Sequence, residues 1–242
     1  MIKISYPVFD IQNLPQATFS RIGGVSNTPY DSLNVSFHVG DSEKNVLANR
    51  ERMKQALQVK RLVSGHQIHQ DKVFCVREMP DKDYEINGYD AFITDVPGVA
   101  LMVQQADCQA VLLHDPVKKA VGIAHAGWRG SVANIIGKTI DAMANSYGSK
   151  PDDLRAAISP SLGPCCAEFV NYRTELPEEF HHYQVKENYF DFWALSKDQL
   201  CVAGVNAQNV FIANICTVCN QDYFSYRRDK VTGRFASIIA IR

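Results

Sequence analysis

Cys108 and His125 are the two residues whose types and spacing most favour chemistry. Two apolar runs, residues 110–113 and 120–124, flank Asp115-Pro-Val-Lys118, where Asp and Pro suit the first two positions of a type I turn. The segment therefore predicts a β-hairpin. If Asp115 faces Lys118, then Cys108 faces His125 across the ladder, and facing Cβ atoms lie roughly 4.5–5.5 Å apart. A looser turn would shift the pairing by a residue or two.

The Cys108–His125 pair has three interpretations that its spacing leaves open. It could be a nucleophile and its base, as in cysteine hydrolases. It could be two-thirds of an open zinc site that needs one more histidine. It could also be a buried cysteine beside a hydrogen-bonded histidine. His66 and His69 both offer the third ligand, but residues three apart point to opposite faces of a strand, so we expect only one to bind metal.

The turn after His125 is a second place where chemistry is favoured. Gly127-Trp-Arg129-Gly130 is predicted to lead into a helix. Free backbone N–H groups at a helix N-terminus, together with the Arg129 guanidinium, suit an anion such as phosphate. The motif lacks the Lys-Ser/Thr pair of a P-loop, so it is less diagnostic of one ligand.

Mixed helices and strands must position these groups. Periodicity predicts one helix from Asp41 or Ser42 to about Gln58, with Asp41 and Ser42 as candidate caps, and another from Ser131 to Tyr147 that Gly148 ends. Strands are predicted over residues 120–127, 211–215 and 235–241, and after His69 at residues 73–76. An α/β or α+β fold follows.

Arg50 lies on the inward stripe of the first predicted helix, with Val46 and Met53. Its stem could pack while its head reaches water. Alternatively, its guanidinium could point into a pocket and hold an anion. Periodicity does not choose between these two placements.

Composition narrows the class of protein. The chain has 242 residues, and its 25 Lys and Arg nearly balance its 26 Asp and Glu. No broad basic surface for nucleic acid and no polybasic segment for a membrane is expected. The N-terminus lacks the pattern of an export signal, so we expect a cytoplasmic protein, and we expect a monomer.

The seven cysteines then need an explanation other than a disulfide framework. Most are expected to be buried and apolar in character. Cys166 could lie near the site, whereas Cys165 is expected to pack. Cys216-Thr-Val-Cys219 has the spacing of half a zinc knuckle, but the sequence offers no convincing second half, so no metal is predicted there.

A series of motifs runs nearly end to end. In chain order they are Ser20-Arg-Ile-Gly-Gly-Val-Ser26, Ser32-Leu-Asn34, His38-Val-Gly-Asp41, Asn49-Arg50, Gln67-Ile-His69, Asp90-Ala91, Ala106-Asp-Cys108, Ala124-His-Ala-Gly-Trp-Arg-Gly130, Gly163-Pro-Cys-Cys166, Phe224-Ser-Tyr-Arg-Arg-Asp229 and Thr232-Gly-Arg234. As a set they resemble the YfiH-like, laccase-domain family, described as purine nucleoside phosphorylases and earlier as polyphenol oxidases. The resemblance implies one α+β catalytic domain over residues 1–242, with four layers, α/β/β/α, and mixed β-sheets.

The resemblance also implies a metal centre and an activity. Its zinc ligands are His69, Cys108 and His125, which selects His69 over His66, and Cu²⁺ could occupy the same site. The implied reactions are phosphorolysis of adenosine, inosine and S-methyl-5′-thioadenosine, and adenosine deamination. A purine nucleoside and phosphate are therefore the expected partners.

Further site residues follow from the motifs. Because guanidinium groups bind phosphate bidentately, we expect phosphate to be held by residues among Arg50, Arg129, Arg227 and Arg228. Asn34 and His38 are candidate polar groups of the pocket. Asp107 is a candidate for orienting a ligand or exchanging protons, although a structural role is equally consistent with its place beside Cys108.

Three rival functions remain at this stage. A copper-dependent polyphenol oxidase would need many paired histidines, and the chain has seven histidines in all. A Cys-His hydrolase is the second rival, and relatives implicated in peptidoglycan editing point to cell-wall precursors. A metal-stabilised binding module without catalysis is the third. An open metal position argues against the last.

Overall fold

Two mixed β-sheets form the centre of the molecule. The structure is a computed structural model, and it describes residues 2–9 and 14–242. The strands of the first sheet are β1 Lys3–Ile4, β2 Gln16–Phe19, β3 Arg61–His66, β5 Tyr84–Asn87, β7 Val99–Gln105 and β14 Phe235–Ala240. Those of the second are β4 Val73–Val76, β6 Ala91–Thr94, β8 Gln109–Asp115, β9 Ala120–Ala126, β10 Arg155–Ile158 and β13 Val210–Ile212. A small separate ribbon pairs β11 Gln184–Lys186 with β12 Tyr189–Phe190.

Both sheets combine parallel and antiparallel pairs. The first has the order β1-β2-β14-β7-β3-β5, and only the β7–β3 and β3–β5 pairs are parallel. The second has the order β13-β10-β8-β9-β6-β4, with parallel pairs at its two ends. The antiparallel hairpin β8–β9 therefore lies at the middle of the second sheet, where both of its faces are covered.

The helices lie outside the two sheets and in their connections. They are α1 Glu43–Leu57, α2 Trp128–Val132, α3 Ile135–Tyr147, α4 Tyr172–Glu175, α5 Phe192–Val202 and α6 Tyr226–Asp229, with short 3₁₀ turns at Pro151–Asp153, Glu178–Tyr183 and Ala207–Asn209. Within the part of the chain that the structure describes, no helix is both long and apolar enough to span a membrane.

Three apolar clusters define four layers. Met53 and Leu57 of α1 pack on the first sheet. Side chains of both sheets, such as Leu101 and Ile123, meet in the middle cluster. On the far side, α3 and α5 cover the second sheet, with Ile140 of α3 among the buried contacts. The predicted four-layer α/β/β/α arrangement with mixed sheets is confirmed.

The helix predictions were right about the first helix and about the end of the second, but wrong about where the second begins. Helix α1 begins after Ser42 and ends before Gln58, but the Ser42 side chain makes no capping hydrogen bond. Residues 131–147 are not one helix, because Asn134 takes the left-handed conformation (φ 54°) and its side chain accepts a hydrogen bond from the Gly137 N–H. That break separates α2 from α3. Gly148 ends α3 as predicted, with φ 68°.

The predicted hairpin exists with a looser turn. The register pairs Asp115 with Ala120 and Ala110 with His125, two residues from the tighter pairing. The cause lies in the turn, where the Asp115 carboxylate accepts hydrogen bonds from two backbone N–H groups and Lys119 is left-handed (φ 53°). Cys108 therefore does not face His125. It lies just before β8, diagonally across from His125, a separation that side chains can still bridge.

Candidate metal centre and cavity

His69, Cys108 and His125 come together at one end of the two sheets. His69 follows β3 of the first sheet, Cys108 lies between β7 and β8 where the chain passes from one sheet to the other, and His125 belongs to β9 of the second sheet. Their ligand atoms all lie within 4.8 Å of one another. The Cys108 Sγ atom is 3.9 Å from His69 Nε2. His66 is not part of this group, since its ring stacks on His38 with centroids 4.0 Å apart.

A buried carboxylate, Asp90, holds the two histidines in place. Its oxygens accept hydrogen bonds from the backbone N–H groups of Ile68, His69 and Gln70 at 2.9–3.2 Å. One oxygen also lies 2.9 Å from His125 Nδ1. With the proton on Nδ1, the Nε2 atom of His125 is free to bind a metal. Burial opposes the charge of Asp90, but these hydrogen bonds hold the pKa of Asp90 below its usual value.

The backbone around the three side chains is shaped to fit them. A Cβ atom at Gly127 would lie 3.0 Å from both Cys108 Sγ and His69 Cδ2, so any larger residue there would push these two side chains aside. His69 itself is left-handed (φ 61°), as is Asp107 (φ 87°). The left-handed backbone conformation is strained for any residue other than glycine, so surrounding contacts must offset its cost. Residues strained in this way cluster at functional sites.

Charge favours the metal-binding form of the cysteine. Burial disfavours a charge on Cys108 and on His125, but each stabilises the charge of the other. As a result the pKa of the Cys108 thiol falls to about 6. The Cys108 and Asp90 side chains raise the pKa of His125 to about 9. A metal ion would replace the His125 Nε2 proton in this thiolate–imidazolium pair.

The three donors suit one metal ion of intermediate softness. One thiolate and two imidazoles are ligands that both zinc and copper accept, and three protein ligands leave a position open. All three residues line a cavity of about 810 Å³, which an ion held by them would adjoin. The fit rests on the grouped donors, the Asp90 contacts and the space at Gly127.

The cavity walls carry aromatic rings and two arginines. Trp128, Phe169 and Tyr226 are among the aromatic residues that line it. Arg227 and Arg234 line it too. Burial lowers the pKa of Arg234, although the nearby Cys108 and Asp107 oppose the shift, and an arginine remains charged in either case.

The predicted phosphate residues do not all reach the cavity. His38 and Arg227 line it, whereas Asn34, Arg50, Arg129 and Arg228 do not. Asn34 is fully buried, and its side-chain oxygen accepts hydrogen bonds from the Ser36 and Arg234 backbone N–H groups.

The three other arginines are occupied elsewhere. Arg50 is buried and pairs with Glu85 at 2.7 Å. Arg129 is exposed and stacks on the Trp128 ring at 4.1 Å. Arg228 donates to backbone carbonyls of residues 217–223. The turn at Arg129 leads only into the five-residue helix α2, so the predicted anion site there lacks the long helix it assumed.

Asp107 is committed to structural contacts. Its two carboxylate oxygens accept hydrogen bonds from Thr217 Oγ1 at 2.7 Å and from the Arg227 backbone N–H at 2.6 Å. It also lines the cavity. These contacts favour a structural role for Asp107, because they fix the start of α6 and therefore the position of Arg227.

Three residues in or beside the site had no role in the sequence-based prediction. Asp90 and Arg234 lie in the motifs Asp90-Ala91 and Thr232-Gly-Arg234, so their positions were marked but their contacts were not. Glu85 lies in a polar stretch that carries no motif. It accepts from Arg50, and its other oxygen lies 2.6 Å from His38 Nε2.

Comparison with known proteins identifies the family. The family described as "Multi-copper polyphenol oxidoreductase laccase" matches residues 15–242. The chain belongs to this family. It is 34% identical to the purine nucleoside phosphorylase YfiH of Escherichia coli (strain K12), over 91% of this chain and 90% of that protein. It is 32% identical to the purine nucleoside phosphorylase YlmD of Geobacillus stearothermophilus, over 92% and 88%.

Solved structures of the family have the same fold. The crystal structure of YlmD from Geobacillus stearothermophilus superposes with a TM-score of 0.88 at 30% identity, covering 98% of this chain and 94% of that one. That of the hypothetical protein YfiH of Bacillus licheniformis gives 0.87 at 29% identity, covering 98% and 100%.

Proposed function

We propose that residues 1–242 form one catalytic domain, a zinc-dependent purine nucleoside phosphorylase that also deaminates adenosine. The observation that carries the proposal is the grouping of His69, Cys108 and His125 at a cavity lined by aromatic rings and two arginines. The names of the relatives at 32–34% identity support the same reaction class. Adenosine, inosine and S-methyl-5′-thioadenosine are the proposed substrates.

The cavity offers a place for each part of the substrates. A purine base would stack on aromatic side chains such as Trp128 and Phe169, whose own rings meet edge to face with centroids 6.3 Å apart. Phosphate would be neutralised by Arg227 and Arg234. The residues His69, Cys108 and His125 would hold the metal, which when bound supplies Lewis-acid polarisation at the open position. Asp90 fixes both histidines and is a positioning residue.

Metal content and product formation test the proposal together. Purified protein is expected to contain zinc and to release adenine from adenosine only when phosphate is present. Inosine is expected from adenosine without phosphate. The measurement is chromatographic separation of products beside metal analysis of the same sample. No turnover of any of the three nucleosides by metal-loaded protein would contradict the assignment.

Arg234→Met is expected to raise the KM for phosphate and to lower kcat/KM for phosphorolysis. A hydrogen bond to a charged group contributes about 1.5–3 kcal/mol, which corresponds to roughly 10- to 100-fold. Deamination of adenosine without phosphate should change little, since it uses no phosphate. Initial rates against phosphate concentration give both constants.

Arg129→Met is the matched control, because Arg129 carries the same charge but stacks on the Trp128 ring and does not line the cavity. Its phosphate KM should equal that of the wild type. If Arg234→Met left the phosphate KM unchanged, Arg234 would have no part in phosphate binding.

A Cys-His hydrolase is the second candidate, because Cys108 and His125 also satisfy the requirement for an activated thiol beside a base. In that case Cys108 would be alkylated rapidly in metal-loaded protein, and hydrolysis of a peptidoglycan precursor would survive metal removal. Under the proposed function, metal protects Cys108 and chelation abolishes turnover. A multicopper oxidase is less supported, since among residues 2–9 and 14–242 the groups able to hold metal are one His/Cys group and one all-cysteine group.

A further inference from the structure

Four cysteines outside the candidate active site come together at the surface. Cys165 and Cys166 lie in the loop after β10, and Cys216 and Cys219 lie in the turn after β13. Their sulfur atoms all lie within 4.8 Å of one another. The prediction that Cys216-Thr-Val-Cys219 binds no metal rested on a missing second half. The structure supplies that half from about fifty residues earlier in the chain.

The sulfur separations match the edges of a small tetrahedron. Cys219 Sγ lies 3.5 Å from Cys166 Sγ and 3.7 Å from Cys165 Sγ. With metal–sulfur bonds of about 2.3 Å, a tetrahedral ion places its ligand sulfurs roughly 3.8 Å apart. A disulfide would need about 2.05 Å, so the sulfurs are not bonded to one another.

The backbone around Cys216 is arranged for a thiolate. The Gly163 N–H donates to Cys216 Sγ at 3.4 Å. Gly163 permits this approach, because a Cβ there would lie 2.9 Å from the Cys216 Cβ. An N–H donor to a sulfur stabilises negative charge on it, as a metal-bound thiolate requires.

We propose that Cys165, Cys166, Cys216 and Cys219 bind a second metal ion, Zn²⁺ in closed tetrahedral thiolate coordination. Four cysteine ligands leave no open position, so the role of this ion is structural. The proposal does not depend on the proposed function, since it uses none of the residues of the first metal centre.

Such an ion would join the segment of Cys165 and Cys166, which continues into the cavity wall, to the turn of residues 216–219. Ser161 and Cys216 already form a parallel bridge, and the Leu162 N–H donates to the Asp107 carbonyl at 2.8 Å. Phe169, three residues beyond Cys166, lines the cavity. The guanidinium of Arg228 donates to the carbonyls of Thr217 and Val218, the two residues between Cys216 and Cys219. The ion would therefore fix the wall that carries Phe169.

Thiol protection in the wild-type protein tests the site directly. Cys165 and Cys219 are exposed and should react with iodoacetamide at once if no metal holds them. In zinc-loaded protein we expect all four cysteines to resist alkylation, and to become labelled together after treatment with a strong chelator. Cys201, which belongs to neither group, should be labelled equally in both samples. Peptide mass mapping reads each site.

Zinc content of variants separates the two sites. Cys108→Ser with His125→Ala removes ligands of the first centre, and this protein should retain one zinc per chain. Adding Cys219→Ser should remove that zinc, whereas adding Cys201→Ser should not. Rapid alkylation of Cys165 and Cys219 in zinc-loaded wild type, or a disulfide among the four, would overturn the proposal. Neither result would bear on whether His69, Cys108 and His125 bind metal.

Discussion

Asp90→Asn is expected to weaken metal binding at the His69–Cys108–His125 group by about 10- to 100-fold, the usual effect of removing a residue that orients metal ligands. An asparagine keeps one acceptor oxygen but places an NH₂ group against backbone N–H donors. Either the loop at His69 or the His125 ring then loses its partner. Competition with a chromophoric chelator measures the dissociation constant, and turnover at low metal should fall in parallel.

An excess of metal shows whether Asp90→Asn disturbs only the positions of the metal ligands or the structure as a whole. If Asp90 acts only through the ligands, high zinc should restore much of the lost turnover. Asp115→Asn is the matched control, because Asp115 is an equally buried carboxylate that accepts two backbone N–H bonds. It lies at the turn of the β8–β9 hairpin, far along the strands from His125. This variant should lower stability and leave metal affinity unchanged. An unaltered dissociation constant in Asp90→Asn would remove Asp90 from this role.

Arg50→Met is expected to lower the free energy of unfolding by about 3–5 kcal/mol, since it leaves the buried Glu85 carboxylate without the arginine that neutralises it. Arg50 and Glu85 are 8% and 13% exposed and lie 2.7 Å apart. Arg50 also donates to the Val35 carbonyl and lies over the Phe37 ring. Urea denaturation gives the free energy of unfolding.

A double variant and a surface control complete this experiment. Arg50→Met combined with Glu85→Leu should lose less stability than the sum of the single variants, because no buried charge is left alone. Lys138→Met removes an exposed ion pair with Asp71, and should cost at most about 1 kcal/mol. A loss of similar size in Arg50→Met would mean that the Arg50–Glu85 pair contributes little. The phosphate KM of Arg50→Met, measured on folded protein, should stay near the wild-type value because Arg50 does not line the cavity.

The sequence predicted correctly that certain residues are neighbours, but it did not predict their exact register across the strands. Cys108 and His125 were expected to face each other, and they are close, but through a diagonal contact. The difference comes from the turn, since hydrogen bonds of one side chain, Asp115, decide its width. Hydrophobic alternation alone does not distinguish two registers that differ by two residues, because both keep the same face buried.

Contacts between distant segments were beyond the reach of periodicity. The stripe on α1 correctly placed Arg50 inward, but its partner Glu85 lies on β5, a strand that the sequence did not predict. For the same reason, Cys216 and Cys219 looked like half a site. Which arginines face the cavity depends on the short helices α2 and α6. Such helices are too short for a periodic pattern to reveal.

The three ligands proposed for the first metal centre lie together at one end of the two sheets, so metal binding there would be linked to folding. An ion that binds the folded chain and not the unfolded one adds stability in proportion to the logarithm of its free concentration, about 2.7 kcal/mol at one hundred times its dissociation constant. Because His69 and Cys108 lie in connections between the two sheets and His125 lies in the second sheet, that energy would oppose separation of these segments at this end of the molecule. The thermal stability of the protein would then depend on the free concentration of the metal ion. A shortage of the ion would shorten the lifetime of the folded chain as well as lower its turnover.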